Sequence, residues 1–228
     1  MSVAGNLKTV RDRIAFAATH AGRDPGSITL IAVSKTVDAA RVREAVAAGA
    51  AVLGENRVQE AKEKIEALGP IASWHLIGRL QTNKAKYAVR LFDLIHSVDS
   101  IELARELDRQ AAKIGKTQEI LIEVNTGGEE QKAGVGPAAA SALVREIAKL
   151  GNLKIRGLMT VPPYSENAED ARPFFRKLRE LAEAIGKEKI AGCSLDILSM
   201  GMSGDYEVAI AEGATMVRVG TAIFGERT

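Results

Sequence analysis

Eight short aliphatic segments alternate with segments of helical periodicity, and this alternation limits the possible folds more than any other feature of the chain. The aliphatic segments are nearly continuous, as expected of strands buried on both faces of a parallel sheet. Strands that alternate with helices indicate βαβ units. The predicted strands are TLIAVSK (29–35), AVLGE (51–55), SWHLIG (73–78), DLIHSV (93–98), EILIEVN (119–125), KIRGLMTV (154–161), DILSMG (196–201) and MVRVGTAIFG (216–225).

Eight strand–helix units predict an α/β fold, a closed (β/α)₈ barrel of the TIM type, with a doubly wound open sheet as the alternative. No linker rich in Pro, Gly or Ser divides the chain, so we predict a single domain over residues 1–228. An extra helix over 3–21 precedes the first strand and is expected to cover the bottom of the barrel.

Two helix starts carry capping signals. Asp38 is expected to cap the helix over 39–49. Asn56, followed three residues later by Gln59, predicts a capping box at the start of the helix over 57–68. The remaining predicted helices are 82–91, 100–114, 137–150, 168–187 and 205–212.

Charge and composition exclude several classes of function. The chain has 31 basic and 29 acidic residues, and aromatic residues make up 4%, so neither a charged surface nor stacking platforms for nucleic acid are expected. The single cysteine and three scattered histidines show no zinc spacing. The N-terminus lacks the apolar core of a signal peptide, and no segment is long enough to span a membrane. We expect a cytoplasmic protein without metal, membrane or nucleic-acid partners.

In this type of barrel the active site lies at the carboxyl ends of the strands. Lys35 ends the first predicted strand, where a desolvated amine with a lowered pKa could form a Schiff base with an aldehyde; the alternative is an ordinary lysine at the end of a strand. His75 and His96 lie inside predicted strands. We expect both to be hydrogen-bonded residues of the barrel rather than metal ligands.

The segments LSMGMSGD (198–205) and RVGTAIFG (218–225) are rich in glycine and hydroxyl side chains. Loops after the seventh and eighth strands, with a short helix N-terminus, are the usual phosphate site of the fold. Their glycines allow a close approach of the backbone to an anion, although they could also form tight turns. The residues that could contribute are Ser199, Gly201, Ser203, Gly204, Gly220 and Thr221.

Arg218 is an arginine inside an otherwise aliphatic strand, where a buried guanidinium needs a partner. The partner could be a carboxylate such as Glu123. It could instead be the ring nitrogen of a cofactor, as in some sites for pyridoxal 5′-phosphate (PLP). A Schiff-base lysine, a phosphate loop and an arginine for the ring nitrogen together indicate PLP.

Seven motifs, in order along almost the whole chain, resemble the pyridoxal phosphate homeostasis protein family. They are LIAVSKT (30–36), GENRVQE (54–60), WHLIGRLQTNK (74–84), HSVDS (96–100), GLMTVPP (157–163), LSMGMSGD (198–205) and VRVGTAIFG (217–225). The resemblance implies a barrel like the N-terminal domain of alanine racemase. Arg57 and Gly204 depart from the pattern that the family leads us to expect.

The resemblance also implies the roles of individual residues toward PLP. Lys35 would form the Schiff base, and Arg218 would approach the pyridine nitrogen. The phosphate would be held by Ser199, Gly220 and Thr221, and the ring pocket would be lined by Asn56 and Met200. No residue is assigned a catalytic role.

Two classes of function fit these residues. The first is a PLP-binding protein of intracellular vitamin B6 and amino-acid homeostasis, expected to be a monomer, with apo forms of PLP-dependent enzymes as candidate recipients. The second is a PLP-dependent amino-acid racemase, which we expect to need a further β-domain after the barrel. A Schiff-base aldolase without cofactor is a third option, and Arg218 argues against it.

Overall fold

Eight parallel strands form a closed barrel in the computed structural model, which describes residues 2–129 and 131–225. Each strand pairs with its neighbours in chain order, and the last strand pairs with the first. The barrel prediction is therefore confirmed over the open sheet. The strands are β1 (Thr29–Val33), β2 (Val52–Glu55), β3 (Ser73–Leu76), β4 (Leu94–Val98), β5 (Gln118–Glu123), β6 (Leu153–Met159), β7 (Cys193–Ser199) and β8 (Met216–Val219).

Helices follow the strands and form the outer layer. They are α1 (Val3–His20), α2 (Ala39–Ala47), α3 (Val58–Leu68), α4 (Ala85–Leu91), α5 (Ile101–Ala112), α6 (Pro137–Ile147), α7 (Arg172–Gly186), α8 (Tyr206–Ala211) and α9 (Thr221–Phe224). Short 3₁₀ turns cover Pro25–Ser27, Thr82–Lys84 and Ala168–Ala171.

Six of the eight strand predictions were too long at the carboxyl end, and two of these errors bear on the site. The segment predicted as a strand over 216–225 is a strand only as far as Val219, and α9 follows after Gly220. The first strand ends at Val33, which places Lys35 in the turn that follows. Both corrections lengthen the loops at the mouth of the barrel.

One of the two capping predictions is wrong. The Asp38 carboxylate accepts a hydrogen bond from the Arg41 N–H, as predicted. At α3, however, the N-cap position is taken by Arg57, without a side-chain hydrogen bond. Asn56 lies one residue too early and instead packs its backbone against Gly78, where an added Cβ would come within 2.5 Å of the Asn56 carbonyl oxygen.

Helix α1 does not cover the bottom of the barrel. It packs in the outer layer against α8, α9 and α2, burying one apolar face against them. Within the described residues, which reach Gly225, β8 is followed by the four-residue helix α9, and α1 occupies the place of an eighth full helix in the ring. The Asn6 amide donates to the Ile223 carbonyl and the Arg23 guanidinium donates to the carbonyls of Ile210 and Ala214, which fixes this arrangement.

Apolar side chains form two separate clusters, one inside the barrel and one around it. A small cluster inside the barrel contains Leu94, Leu121 and Met159, and a much larger one fills the space between the strands and the helices. Towards the carboxyl ends of the strands the interior becomes polar. No helix within the described residues is long and apolar enough to cross a membrane.

Candidate functional site

Four polar side chains from four strands form a hydrogen-bonded chain inside the barrel. The Arg218 Nη1 donates to Ser199 Oγ at 2.7 Å, and Ser199 Oγ lies 2.9 Å from His96 Nδ1. His96 Nε2 lies 3.1 Å from His75 Nδ1. All four residues are buried. The expectation that both histidines are hydrogen-bonded barrel residues is confirmed.

Arg218 can only donate, so Ser199 Oγ accepts from it. Between His96 Nε2 and His75 Nδ1 one nitrogen must accept, so at least one of the two imidazoles is neutral. Burial, which disfavours the charged form, lowers the pKa of His75 to about 4 and lowers the pKa of His96 well below its ordinary value.

The buried His75 predicts a loss of stability in acid. Its pKa is about 4 in the folded protein against an ordinary value of 6.5, so the unfolded chain binds more protons between these values. The contribution of His75 to the free energy of unfolding should then fall by about 3 kcal/mol as the pH drops from 6.5 to 4. In urea titrations over this range, His75→Gln should lose correspondingly less, whereas the exposed control His20→Gln should follow the wild type. Equal losses in all three proteins would contradict this assignment.

The remaining hydrogen bonds of Arg218 go to backbone carbonyls rather than to a carboxylate. Its Nη1 also donates to the Ser199 carbonyl, and its Nη2 donates to the Thr160 carbonyl, both at 2.8 Å. Glu123 and Asp205 act on it through their charges. Burial lowers the pKa of Arg218 to about 10, which leaves the guanidinium charged at neutral pH. It supplies a fixed positive charge inside the mouth of the barrel.

Glu123, at the end of β5, is a buried carboxyl group that lies close enough to Arg218 for their charges to interact. Burial raises its pKa to about 7, and Asp99 adds to this effect while Arg218 and Arg79 oppose it. The interpretation of Glu123 as a hydrogen-bonded partner of Arg218 is therefore replaced by an electrostatic one. A group with this pKa changes its charge near neutral pH.

The turn after β1 carries Lys35, which is half-buried. The next residue, Thr36, has a φ of 63°, a left-handed conformation that is rare for a β-branched residue. Both neighbours of Lys35 bond to α3: the Ser34 carbonyl accepts from Lys64 Nζ, and the Thr36 N–H donates to the Glu60 carboxylate. The turn is thus fixed from the outside by the next helix along the chain.

The loops after β7 and β8 bring backbone donors together. The N–H groups of Gly220 and Ala222 both point to Ser203 Oγ, at 3.2 and 3.5 Å. Thr221, the first residue of α9, is exposed. A Cβ built on Gly220 would lie 3.4 Å from the Cβ and the carbonyl oxygen of Val33, so this loop lies directly beside the strand that leads to Lys35.

Two predicted binding residues have other surroundings than expected. Ser199 has no exposed surface, and its hydroxyl and carbonyl bind Arg218, so its contacts position the guanidinium. Met200 also has no exposed surface and belongs to the cluster between strands and helices. Asn56 is half-buried at the exit of β2. Sequence reasoning placed Ser203 among the hydroxyl groups of these loops but did not single it out.

Lys64 was missed because its helix, VQEAKEKIEAL, has the composition of a solvated surface helix. The available signal was its spacing, since Lys64 lies on the same stripe as Ala61 and Leu68, and all three are buried. Within 2–129 and 131–225 no group of three or more His, Cys, Asp or Glu side chains is placed to hold a metal ion.

Comparisons with known proteins agree with this geometry. The family model for the alanine racemase N-terminal domain matches residues 5–228. The pyridoxal phosphate homeostasis protein of Aquifex aeolicus (strain VF5) is 50% identical over 228 residues, which cover 100% of this chain and 99% of that protein. The chain belongs to the pyridoxal phosphate homeostasis protein family. The member of this family from Escherichia coli (strain K12) is 43% identical over 99% of this chain and 97% of its own length.

Solved structures place the chain within the same fold. PipY of Synechococcus elongatus PCC7942, solved with PLP bound, has a TM-score of 0.85 and 40% identity, covering 98% of this chain and 100% of PipY. An alanine racemase of Clostridium difficile 630 has a TM-score of 0.71 at 16% identity, and the match covers 98% of this chain but 57% of the racemase. That likeness concerns the barrel fold alone.

Proposed function

We propose that this protein binds PLP through a Schiff base with Lys35 and acts in intracellular PLP homeostasis, without substantial turnover of amino acids. The observation that carries the proposal is the contact of the Gly220 loop with Val33, two residues before Lys35. It brings the turn that carries the Lys35 amine beside a loop with several backbone N–H groups, on the neighbouring strands β1 and β8, and this supports the proposal. The relative PipY, solved with PLP bound, supports the same ligand.

The residues present fit PLP in three respects. The N–H groups of Gly220 and Ala222 converge on one oxygen atom, Ser203 Oγ, and such a convergence suits a phosphate oxygen. Gly220 leaves open the space that a side chain would fill. Arg218 carries a buried charge that would donate a hydrogen bond to the ring nitrogen without taking up its proton.

When bound, PLP supplies an electron sink for bonds at the α-carbon of amino acids. Racemisation needs one acid/base group on each face of that carbon. The three tyrosines are poorly placed for this: Tyr87 lies on α4 outside the barrel, Tyr206 is buried under Arg13, and Tyr164 is 89% exposed. We therefore propose binding and release of PLP rather than turnover, with apo forms of PLP-dependent enzymes as recipients.

The proposal is tested with the purified protein and PLP. We expect a visible absorbance that disappears on borohydride reduction, with the reduced adduct on the peptide that contains Lys35. The loaded protein is then incubated with L-alanine, and the product is analysed for chirality. The absence of any adduct would overturn the Schiff base with Lys35, and turnover at about 1 s⁻¹ or faster would favour the racemase.

The substitution Gly220→Val is expected to weaken PLP binding by roughly tenfold or more, a loss of about 1.4 kcal/mol in binding free energy. A Cβ is only just accommodated beside Val33, at 3.4 Å, and a branched side chain would cover the backbone donors of the loop. The measurement is the dissociation constant of PLP by absorbance or fluorescence titration. The control is Gly151→Val, where an added Cβ meets nothing within 4 Å. Wild-type affinity in Gly220→Val would place the phosphate elsewhere.

A further inference from the structure

We infer that Lys64 is a positioning residue for Lys35: together with Glu55 and Glu60, it fixes the turn that presents the Lys35 amine. This inference rests on the proposed function of Lys35. It concerns three charged side chains that lie outside the set of residues assigned to PLP above.

The Lys64 ammonium group is buried, and its three protons have three acceptors. Its Nζ lies 2.7 Å from Glu55 Oε1, 2.7 Å from Glu60 Oε1 and 2.5 Å from the Ser34 carbonyl oxygen. Its side chain is 8% exposed, and that of Glu55 is fully buried. A buried lysine is retained only when its charge is compensated in this way, so the cluster behaves as one unit.

Two hydrogen bonds from this cluster reach the two peptide groups that flank Lys35. Lys64 binds the carbonyl of the Ser34–Lys35 peptide, and Glu60 binds the N–H of the Lys35–Thr36 peptide. The backbone rotations of Lys35 are the rotations between these two peptide planes. Tethering both planes to α3 therefore fixes the direction in which the Lys35 side chain leaves the backbone.

The conformation of Thr36 is held by the hydrogen bond from the Val37 N–H to the Ser34 carbonyl together with these tethers. Its φ of 63° lies in a region that costs free energy for any residue with a Cβ, and such conformations persist only where the surroundings impose them. The Glu60 bond is made by the N–H of Thr36 itself. Glu55 completes the frame, because its Oε1 accepts from both Lys64 and the Ser34 hydroxyl.

Removing Lys64 should therefore have two effects on Lys35. The turn loses its tether at the Ser34 carbonyl, so the amine is less well oriented toward a ligand. The cluster also loses one positive charge. Burial raises the pKa of Glu55 and Lys64 lowers it, so without Lys64 the negative charge that stays beside the turn is that of Glu60, and nearby negative charge raises the pKa of a lysine.

The test compares Lys64→Met with Lys62→Met, which removes a lysine from the same helix that is 45% exposed and pairs with Glu66. Folding is checked by circular dichroism and thermal unfolding. In the apo protein, the rate at which an amine-specific reagent labels Lys35 is measured against pH by peptide mass mapping. We expect the labelling profile of Lys64→Met to move to higher pH by about 0.5 unit or more, and its affinity for PLP to fall roughly tenfold or more.

A second pair of variants covers the case in which Lys64→Met does not fold. Glu60→Ala removes the tether to Thr36 from a partly exposed position, and the exposed Glu63→Ala is its control. We expect Glu60→Ala to fold and to weaken PLP binding, and its control to behave as the wild type. Wild-type labelling profile and affinity in the folded Lys64→Met or Glu60→Ala protein would overturn the inference.

The two proposals fail in different ways. If the wild-type protein forms no reducible adduct at Lys35, the proposed function is wrong, and the labelling profile of the apo protein still decides whether Lys64 positions Lys35. If the wild type forms the adduct and the variants match it, only the positioning role is wrong.

Discussion

Lys35→Ala is expected to lose all of the PLP that borohydride can trap on the protein, while the barrel stays folded. The loss follows because the methyl side chain carries no amine. The fold should survive because the tethers of this turn use the Ser34 carbonyl and the Thr36 N–H, which the substitution leaves in place. The proposed phosphate and ring contacts do not involve the Lys35 amine, so we expect weak noncovalent binding, reduced roughly tenfold or more.

The measurement is the visible spectrum with and without borohydride, followed by peptide mass mapping. Lys84→Ala is the matched control, because Lys84 is an exposed lysine that follows another strand, β3, at the same end of the barrel. It should keep both the spectrum and the adduct. If the main adduct in Lys35→Ala moved to a different lysine with an unchanged yield, Lys35 would not be the Schiff-base residue.

The sequence was sufficient for the barrel because every strand repeats the same physical requirement. A strand covered by helices outside and side chains inside must be apolar on both faces, and eight such strands are visible without any long-range information. The end of β8 could not be predicted in the same way. The segment TAIF contains two β-branched residues and three apolar ones, and short runs of this kind fit a strand or a buried helix turn equally well.

Residues of the site could be predicted from the sequence where one charged residue interrupts or ends an aliphatic segment. Lys35 and Arg218 are charged residues at the end of, or inside, aliphatic segments, and both lie at the mouth of the barrel. The contacts of Ser199 were not predictable, because they depend on which residues of β4 and β8 face it across the barrel. The contacts of Lys64 were not predictable for the same reason, since its partners Glu55 and Ser34 lie outside its own helix.

Arg218→Ala is expected to lower the free energy of unfolding by about 3 kcal/mol or more, the usual cost of removing one partner from a buried charged network. The substitution leaves the Thr160 carbonyl and the Ser199 hydroxyl without the Arg218 donor, whereas the Ser199 carbonyl keeps its hydrogen bond from the Thr160 N–H. It also removes the cation that opposes the raised pKa of Glu123. Charge reversal to glutamate would add a second buried carboxyl group and is the less informative variant.

The difference in free energy of unfolding between the wild type and Arg218→Ala should depend on pH, and the pKa of Glu123 sets the direction of that dependence. Glu123 has a pKa of about 7 in the folded protein against an ordinary 4.5, so ionising it costs stability as the pH rises from 4.5 to about 7. Without Arg218 the pKa rises further, and the loss continues above pH 7. In urea titrations the gap between wild type and Arg218→Ala should therefore widen from pH 6 to pH 8.

The control is Arg13→Ala, which removes an exposed arginine paired with Glu207 and should change the free energy of unfolding by less than about 1 kcal/mol. If Arg218→Ala does not fold, Arg218→Lys keeps the charge but loses the planar fork that reaches Ser199 and Thr160 together, so it should lie between the wild type and the alanine variant. A folded Arg218→Ala protein within about 1 kcal/mol of the wild type at every pH would mean that the guanidinium is not the centre of this network. The arginine would then be free to serve a ligand alone, because Ser199, His96 and His75 would keep their arrangement without it.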